Sequence, residues 1–209
     1  MKNISIILLL LICNFSQEKA LNKHVSYIKS FQDSLNIKAK ILDKLYILST
    51  STNSEYKNVY RQQFFDKFPN TFNELNELYG YDFKTHKAAP LYYEVEDHIY
   101  KLFNNLNNID KVTYYKKIVS ISIGGHWDAD AINIFQEGLR EKVLIDPTLI
   151  VDVLKVMPDN DVKSFWYFYF DGPVVDKQIS IRLQKIKIID EKIYNLMMEA
   201  HKEALNRPK

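Results

Sequence analysis

Apolar side chains recur every three or four residues along most of this chain, which is the spacing of one face of an α-helix. Short polar breaks, glycines and prolines separate the successive stripes. The chain has 5 glycines among 209 residues, too few for the many tight turns of a β-sandwich or barrel. The sequence therefore predicts an all-α fold, with antiparallel helical hairpins packed as a HEAT-like array or an irregular helical bundle.

Several helix boundaries are marked by capping residues. Thr71 followed by Glu74 is a capping box, and Gly80 is placed to end the same helix in the left-handed conformation. Asp110 and Asp128 are placed to cap later helices. Residues 179–200 carry one apolar stripe, which predicts a single long C-terminal helix.

From residue 91 onward, the expected helix starts follow a rough period. One helix with its loop takes about 18 or 19 residues, and a helical hairpin about 37, which is the length of a HEAT-type repeat. No residues match between successive units, so the array and the bundle both remain open. The expected starts fall near residues 91, 110, 128, 147 and 160.

Residues 1–16 have the layout of a secretory signal peptide. A basic start at Lys2 precedes an apolar run from Ile4 to Cys13, which is shorter than the roughly 20 residues of a membrane-spanning helix. We therefore expect a periplasmic or secreted protein with no membrane span after signal removal. Lipid anchoring through Cys13 is disfavoured because Ile12 occupies a position where lipoprotein signals have a small residue.

Residues 17–209 have the size of a single helical domain, with a possible linker at 49–54. The chain has 28 Lys and Arg against 26 Asp and Glu, so its formal charge of +2 gives no reason to expect nucleic-acid binding. Its one cysteine, Cys13, lies in the predicted signal, so we expect no disulfides in the mature domain.

The densest polar cluster surrounds Trp127. His126, Asp128 and Asp130 have the side chains of a metal site, or of a general base with its orienting carboxylate. The same residues also fit a capped helix start that carries no chemistry. Because the His-Glu-x-x-His pattern of zinc enzymes is absent, we predict no metal and no cofactor.

His98 and Tyr92, on the helix expected to begin near residue 91, are also candidate site residues. His98 lies on the apolar face, where it is either a core residue with one hydrogen bond or a metal ligand joined by His126. Tyr92 and its polar neighbours form part of a possible recognition surface.

Residues 165–170 are six consecutive aromatics. They are either buried between helix layers or partly exposed, in which case Trp166 would be an interface anchor. Asp171 follows directly, and Gly172 and Pro173 after it indicate the end of the helix.

Four segments, 64–81, 90–99, 124–130 and 164–173, together resemble a group of exported bacterial proteins with no assigned activity. In size, export and helical build the chain is also similar to periplasmic immunity proteins that neutralise toxins delivered by type VI secretion. The first resemblance supplies no catalytic residues, and the second is one of architecture, which does not by itself determine function.

The function hypothesis is a non-enzymatic, exported protein that binds another protein, with toxin neutralisation as its concrete form. No phosphate-binding loop or nucleophile elbow is present in the sequence. One alternative is a metal-dependent or His/Asp hydrolase centred on His98, His126, Asp128 and Asp130, and another is a structural envelope protein. The binding candidates are Tyr92, His98, His126, Trp127, Asp128, Asp130, Trp166 and Asp171.

Overall fold

A computed structural model of the protein describes residues 30–51 and 56–207. The predicted signal peptide, Cys13 and residues 52–54 of the possible linker lie outside the described residues. The chain divides into a first unit, Met1–Lys40, and a second unit, Ile41–Lys209. Helix α1 occupies residues 30–50 and so has residues in both units. The candidate site lies entirely in the second unit.

The second unit is built almost entirely from helices, which confirms the all-α prediction. Two short strands, β1 (Tyr81–Asp82) and β2 (Lys87–Ala88), pair antiparallel, and a 3₁₀ turn follows at Tyr92–Glu94. No described helix is long and apolar enough to cross a membrane. The helices after α1 are α2 (Lys57–Lys67), α3 (Phe72–Tyr79), α4 (Val95–Asn104), α5 (Lys111–Ser122), α6 (Ala131–Ile145), α7 (Pro147–Leu154), α8 (Asp159–Phe170), α9 (Ile181–Gln184), α10 (Ile186–Ile189) and α11 (Glu191–Leu205).

Alternate helices are neighbours through much of this unit. Helix α4 packs on α6, α6 on α8 and α8 on α11, while α5 packs on α7 and α7 on α10. Stacked helical hairpins have this order of neighbours. The steps between the starts of α4 to α8 nevertheless range from 12 to 20 residues, so the expected period is not regular. The fold is a helical bundle with hairpin-like stacking.

The aromatic segment 165–170 belongs to the core. Phe165, Trp166 and Phe168 are fully buried, and Tyr169 is nearly so. Helix α8 contacts α5, α6 and α11, so neighbours cover most of its circumference. Four of the six aromatics are therefore buried, whereas Tyr167 and Phe170 are half-buried; Trp166, the suggested interface anchor, is among the buried ones.

Helices α4 and α6 approach closely at Gly138. A Cβ atom at this position would lie 2.3 Å from the ring of Phe103, well inside van der Waals contact. Glycine is therefore required for the two helices to meet at this distance. The close approach sets the floor of a groove that is described with the candidate site.

The buried Lys101 and the half-buried Lys117 cap the C-terminal ends of α1 and α2. The Lys101 ammonium donates to the Ser49 carbonyl at 3.0 Å, and the Lys117 ammonium donates to the carbonyls of Phe65 and Phe68 at 2.6 and 2.8 Å. A cation at this end of a helix opposes the negative end of the helix dipole. Burial lowers the pKa of each lysine to about 8.

Two sequence predictions about helix ends were wrong. The C-terminal stripe is divided among α9, α10 and α11, with breaks at Lys185 and Asp190; the Asp190 carboxylate caps α11 by accepting from the Ile193 amide. Gly80 is extended, with φ −76°, whereas the left-handed glycine is Gly124, with φ +75°, after α5.

Candidate protein-binding surface

Four aromatic rings meet at the surface where the β1–β2 hairpin lies against the 3₁₀ turn. The Tyr81 ring lies 5.1 Å from Phe83 and 5.7 Å from Tyr92, and the Tyr92 ring lies 5.2 Å from Tyr93, all between centroids. We call Tyr81, Phe83, Tyr92 and Tyr93 the aromatic face. Tyr93 is 86% exposed and Phe83 is 60% exposed. Clustered apolar surface of this kind is typical of interaction sites.

The hairpin turn that presents Phe83 is fixed by one carboxylate. Asp82 accepts a hydrogen bond from the Thr85 hydroxyl at 2.6 Å and from the Lys84 and Thr85 amides at 2.9 and 3.3 Å. These bonds, with the hydroxyl contributing most, lower the pKa of Asp82. The turn is therefore held in one conformation, which places Phe83 in solvent beside Tyr81.

The loop between α5 and α6 is anchored to α8. The Gly124 amide donates to the Ser164 hydroxyl at 2.7 Å, and the Trp127 amide donates to the Asp171 carboxylate at 2.6 Å. The His126 side chain is exposed, and its ring packs against Phe72 with centroids 4.9 Å apart. The loop is therefore ordered by contacts with the bundle.

A hydrogen bond joins this loop to the aromatic face. The Tyr92 hydroxyl donates to the Asp130 carboxylate at 2.6 Å, and this bond is the main reason that the pKa of Tyr92 rises to about 12. Tyr92 stands just before α4 and Asp130 just before α6, so the bond connects the N-terminal ends of two neighbouring helices.

The start of α6 differs from the sequence prediction. Helix α6 begins at Ala131, so Asp128 is not its capping residue, and Asp130 at the capping position makes no side-chain bond to the helix. Asp130 has φ +64° and ψ −119°, a conformation that favours glycine and costs about 1–3 kcal/mol for other residues. Its carboxylate serves the tertiary bond to Tyr92 instead of capping.

The strain at Asp130 gives a stability prediction. In a Tyr92→Phe background, where the side-chain bond is already lost, Asp130→Gly is expected to raise the free energy of unfolding by about 1 kcal/mol. Urea denaturation of the single and double variants measures this. Ala129→Gly in the same background is the control and should not stabilise, since Ala129 has no positive φ. A decrease on adding Asp130→Gly would contradict the assignment of strain.

His98 belongs to the core and not to the surface. It is fully buried among the rings of Tyr46, Phe64 and Tyr79, and its Nδ1 pairs with the Tyr79 hydroxyl at 2.9 Å. Its Nε2 lies 3.6 Å from the Asp43 carboxylate, which opposes the effect of burial. Burial dominates and lowers the pKa of His98 to about 4, so the ring is neutral at pH 7.

Trp166 and Asp171 are also inside the protein, with no side-chain surface to offer a partner. Asp171 instead organises its surroundings. Its carboxylate forms an ion pair with Arg207, and its carbonyl accepts from Gln136 at 2.7 Å and from Arg140 at 3.0 Å. These contacts complete the C-terminal end of α8.

The hydrolase alternative requires His98, His126, Asp128 and Asp130 to converge. Within residues 30–51 and 56–207, no group of three or more His, Cys, Asp or Glu side chains is placed to hold a metal ion. The described contacts of His98 are with core aromatics and Asp43, whereas His126 contacts Phe72. The structure thus keeps these two histidines in different surroundings.

A groove between α4 and α6 was not anticipated from the sequence. It encloses about 600 Å³, and apolar residues including Ile99 and Ile134 form part of its lining. In the sequence, the charged residues of α4 and α6 have the pattern of an ordinary solvated helix face. The packing of α4 against α6 is what places carboxylates from both helices around the same groove. We call the groove lined by Glu96, Asp97, Glu137 and Glu141 the acidic groove.

No protein-family model matches this chain, and neither a curated protein nor a solved structure shows significant similarity to it. The candidate site therefore rests on the geometry described above.

Proposed function

We propose that this is an exported, non-enzymatic protein that binds another protein through the aromatic face, and that its partner is a secreted toxin that it neutralises. The observation that carries the proposal is the cluster of four contacting rings, of which Tyr93 and Phe83 are largely in solvent. A purely structural envelope protein has no need for such a cluster, which is why we favour binding.

The framework beneath the aromatic face supports this proposal. Asp82 fixes the hairpin turn, and the bond from Tyr92 to Asp130 fixes the 3₁₀ turn against the start of α6. Tyrosine and phenylalanine supply large contact areas with few rotatable bonds. A surface that is already ordered loses little further entropy when a partner binds, so more of the contact energy appears as affinity.

Co-expression tests the proposal. A toxin encoded beside the gene for this chain is produced in the periplasm, and growth is measured with and without the chain. We expect the chain to restore growth, and Tyr93→Ala combined with Phe83→Ala to weaken binding at least tenfold because two exposed anchors are lost. Titration calorimetry with the purified toxin measures the affinity.

Tyr56→Ala is the matched control, because Tyr56 is a similarly exposed aromatic, at 59%, that precedes α2 and is not part of the aromatic face. It should leave both growth and affinity unchanged. Equal losses for Tyr56→Ala and the double variant would contradict the assignment of the binding surface. Failure of the wild-type chain to restore growth would contradict the toxin as partner.

A further inference from the structure

The acidic groove has an apolar floor and charged walls. Helices α4 and α6 meet closely where Gly138 faces the Phe103 ring, so the space between their exposed sides narrows to an apolar base. Ile99 and Ile134 also line this base. Tyr100, which is 63% exposed, stands among the lining residues on the α4 side.

The carboxylates of the groove form no close ion pair in the described part of the chain. Arg140 lies within reach of the charge of Glu137, which opposes the lowering of the Arg140 pKa by burial. Glu96 and Asp97 come from α4, Glu137 and Glu141 come from α6, and none of the four forms an ion pair with a described lysine or arginine. Some exposed acidic residues elsewhere do form ion pairs, and α11 carries two of them. There Glu199 and Glu203 share Lys163.

The charge in the groove is also opposite to that of the whole chain, which has a formal charge of +2. Like charges on the two walls of the groove contribute no attraction between α4 and α6. A cationic group from outside the described residues would complement this local excess of negative charge.

Hydrogen bonds connect the acidic groove to the loop that also contacts the aromatic face. The Trp127 indole donates to the Asn133 side chain at 3.4 Å, and the Asn133 amide donates to the Glu137 carboxylate at 3.1 Å. The same loop holds Asp130, which is bonded to Tyr92. The loop between α5 and α6 therefore contacts both the aromatic face and one wall of the groove.

We infer that the acidic groove binds a segment of the partner protein that is rich in lysine and arginine, an inference that rests on the proposed function. The aliphatic stems of these side chains suit the apolar floor, and their charged ends suit the carboxylates of the walls. At the edge of the groove, the tyrosine rings are suitable for a further cation. Complementary charge would also accelerate the encounter between the two proteins.

The test uses the purified protein and a fluorescein-labelled twelve-residue peptide of alternating Lys-Leu and Arg-Ala pairs, with binding followed by fluorescence anisotropy. We expect the combined variant Glu137→Gln and Glu141→Gln to weaken binding at least tenfold. The salt dependence of binding should also become shallower, because two charge contacts are lost. Glutamine keeps the size of the side chain and the acceptor oxygen for Asn133.

The matched control combines Glu199→Gln with Glu203→Gln, which removes the same number of charges from α11 and should change affinity less than twofold. Equal weakening by the two double variants would show attraction to net charge only and would overturn the inference. Absence of wild-type binding would also overturn it. Displacement of the labelled peptide by an equal concentration of spermine would overturn the inference as well, since the occupant would then be a small polyamine.

These outcomes are separable from those of the proposed function. If the chain restores growth through Tyr93 while the groove variant leaves growth and peptide affinity unchanged, the inference about the groove fails and the proposed function stands. If growth is not restored but the groove still selects the basic peptide, the toxin proposal fails and the groove remains a site for basic segments.

Discussion

Arg207→Ala is expected to lower the free energy of unfolding by about 3 kcal/mol, because it leaves the Asp171 carboxylate buried without its ion-pair partner, with Arg140 bonded to the Asp171 carbonyl and not to the carboxylate. The Asp171 side chain is 1% exposed, and the Arg207 side chain is 36% exposed. After the substitution, the Asp171 carboxylate keeps the hydrogen bond that it accepts from the Trp127 amide at 2.6 Å. Urea denaturation followed by circular dichroism measures the loss.

The control for this prediction is an exposed ion pair. Lys163→Ala removes the partner of Glu199 and Glu203 on the surface and should cost less than about 1 kcal/mol. Adding Asp171→Asn to the arginine variant should recover part of the loss, since the uncompensated charge is then gone. A cost for Arg207→Ala no larger than that for Lys163→Ala would show that Asp171 is not dependent on its partner.

Acidification is expected to destabilise the protein by about 3 kcal/mol through His98. The ordinary pKa of histidine is 6.5 and burial lowers that of His98 to about 4, so the unfolded chain binds the proton more readily. The contribution of His98 is fully present above pH 6.5. It is lost as the pH falls from 6.5 to 4 and then stays constant.

Urea denaturation at several pH values between 7.5 and 4 tests this prediction. His98→Phe should flatten the dependence of stability on pH. If His98→Phe keeps the wild-type slope, then the attraction of the nearby Asp43 carboxylate, 3.6 Å away, cancels the effect of burial. That outcome would contradict the assigned state of the ring.

Helix positions and some caps were predictable because both depend on residues close in sequence. The Glu74 amide donates to the Thr71 hydroxyl at 3.2 Å, and the Thr113 amide donates to the Asp110 carboxylate at 2.9 Å, as their spacing indicated. Asp130 was not predictable in the same way. Its bond to Tyr92 spans 38 residues, so no local pattern shows that the carboxylate is engaged away from the helix.

The candidate site was predicted in part for a related reason. Tyr92 and the loop around Trp127 were identified from composition, but the exposure of Tyr93 and Phe83 depends on how the hairpin lies against the 3₁₀ turn. Trp166 drew attention as an aromatic residue, although residue type does not show whether neighbouring helices cover it. The acidic groove exists because α4 packs against α6. Sequence spacing does not predict this pairing of alternate helices.

The lysines that close α1 and α2 have a consequence for synthesis on the ribosome. Each ammonium reaches a carbonyl about 50 residues earlier in the chain, with separations of 52 residues for Lys101 to Ser49 and 49 for Lys117 to Phe68. Until these lysines have emerged from the ribosome, the carbonyls at the ends of α1 and α2 that they cap therefore accept hydrogen bonds from water instead. The first two helices gain their final partners only when α4 and α5 have been made.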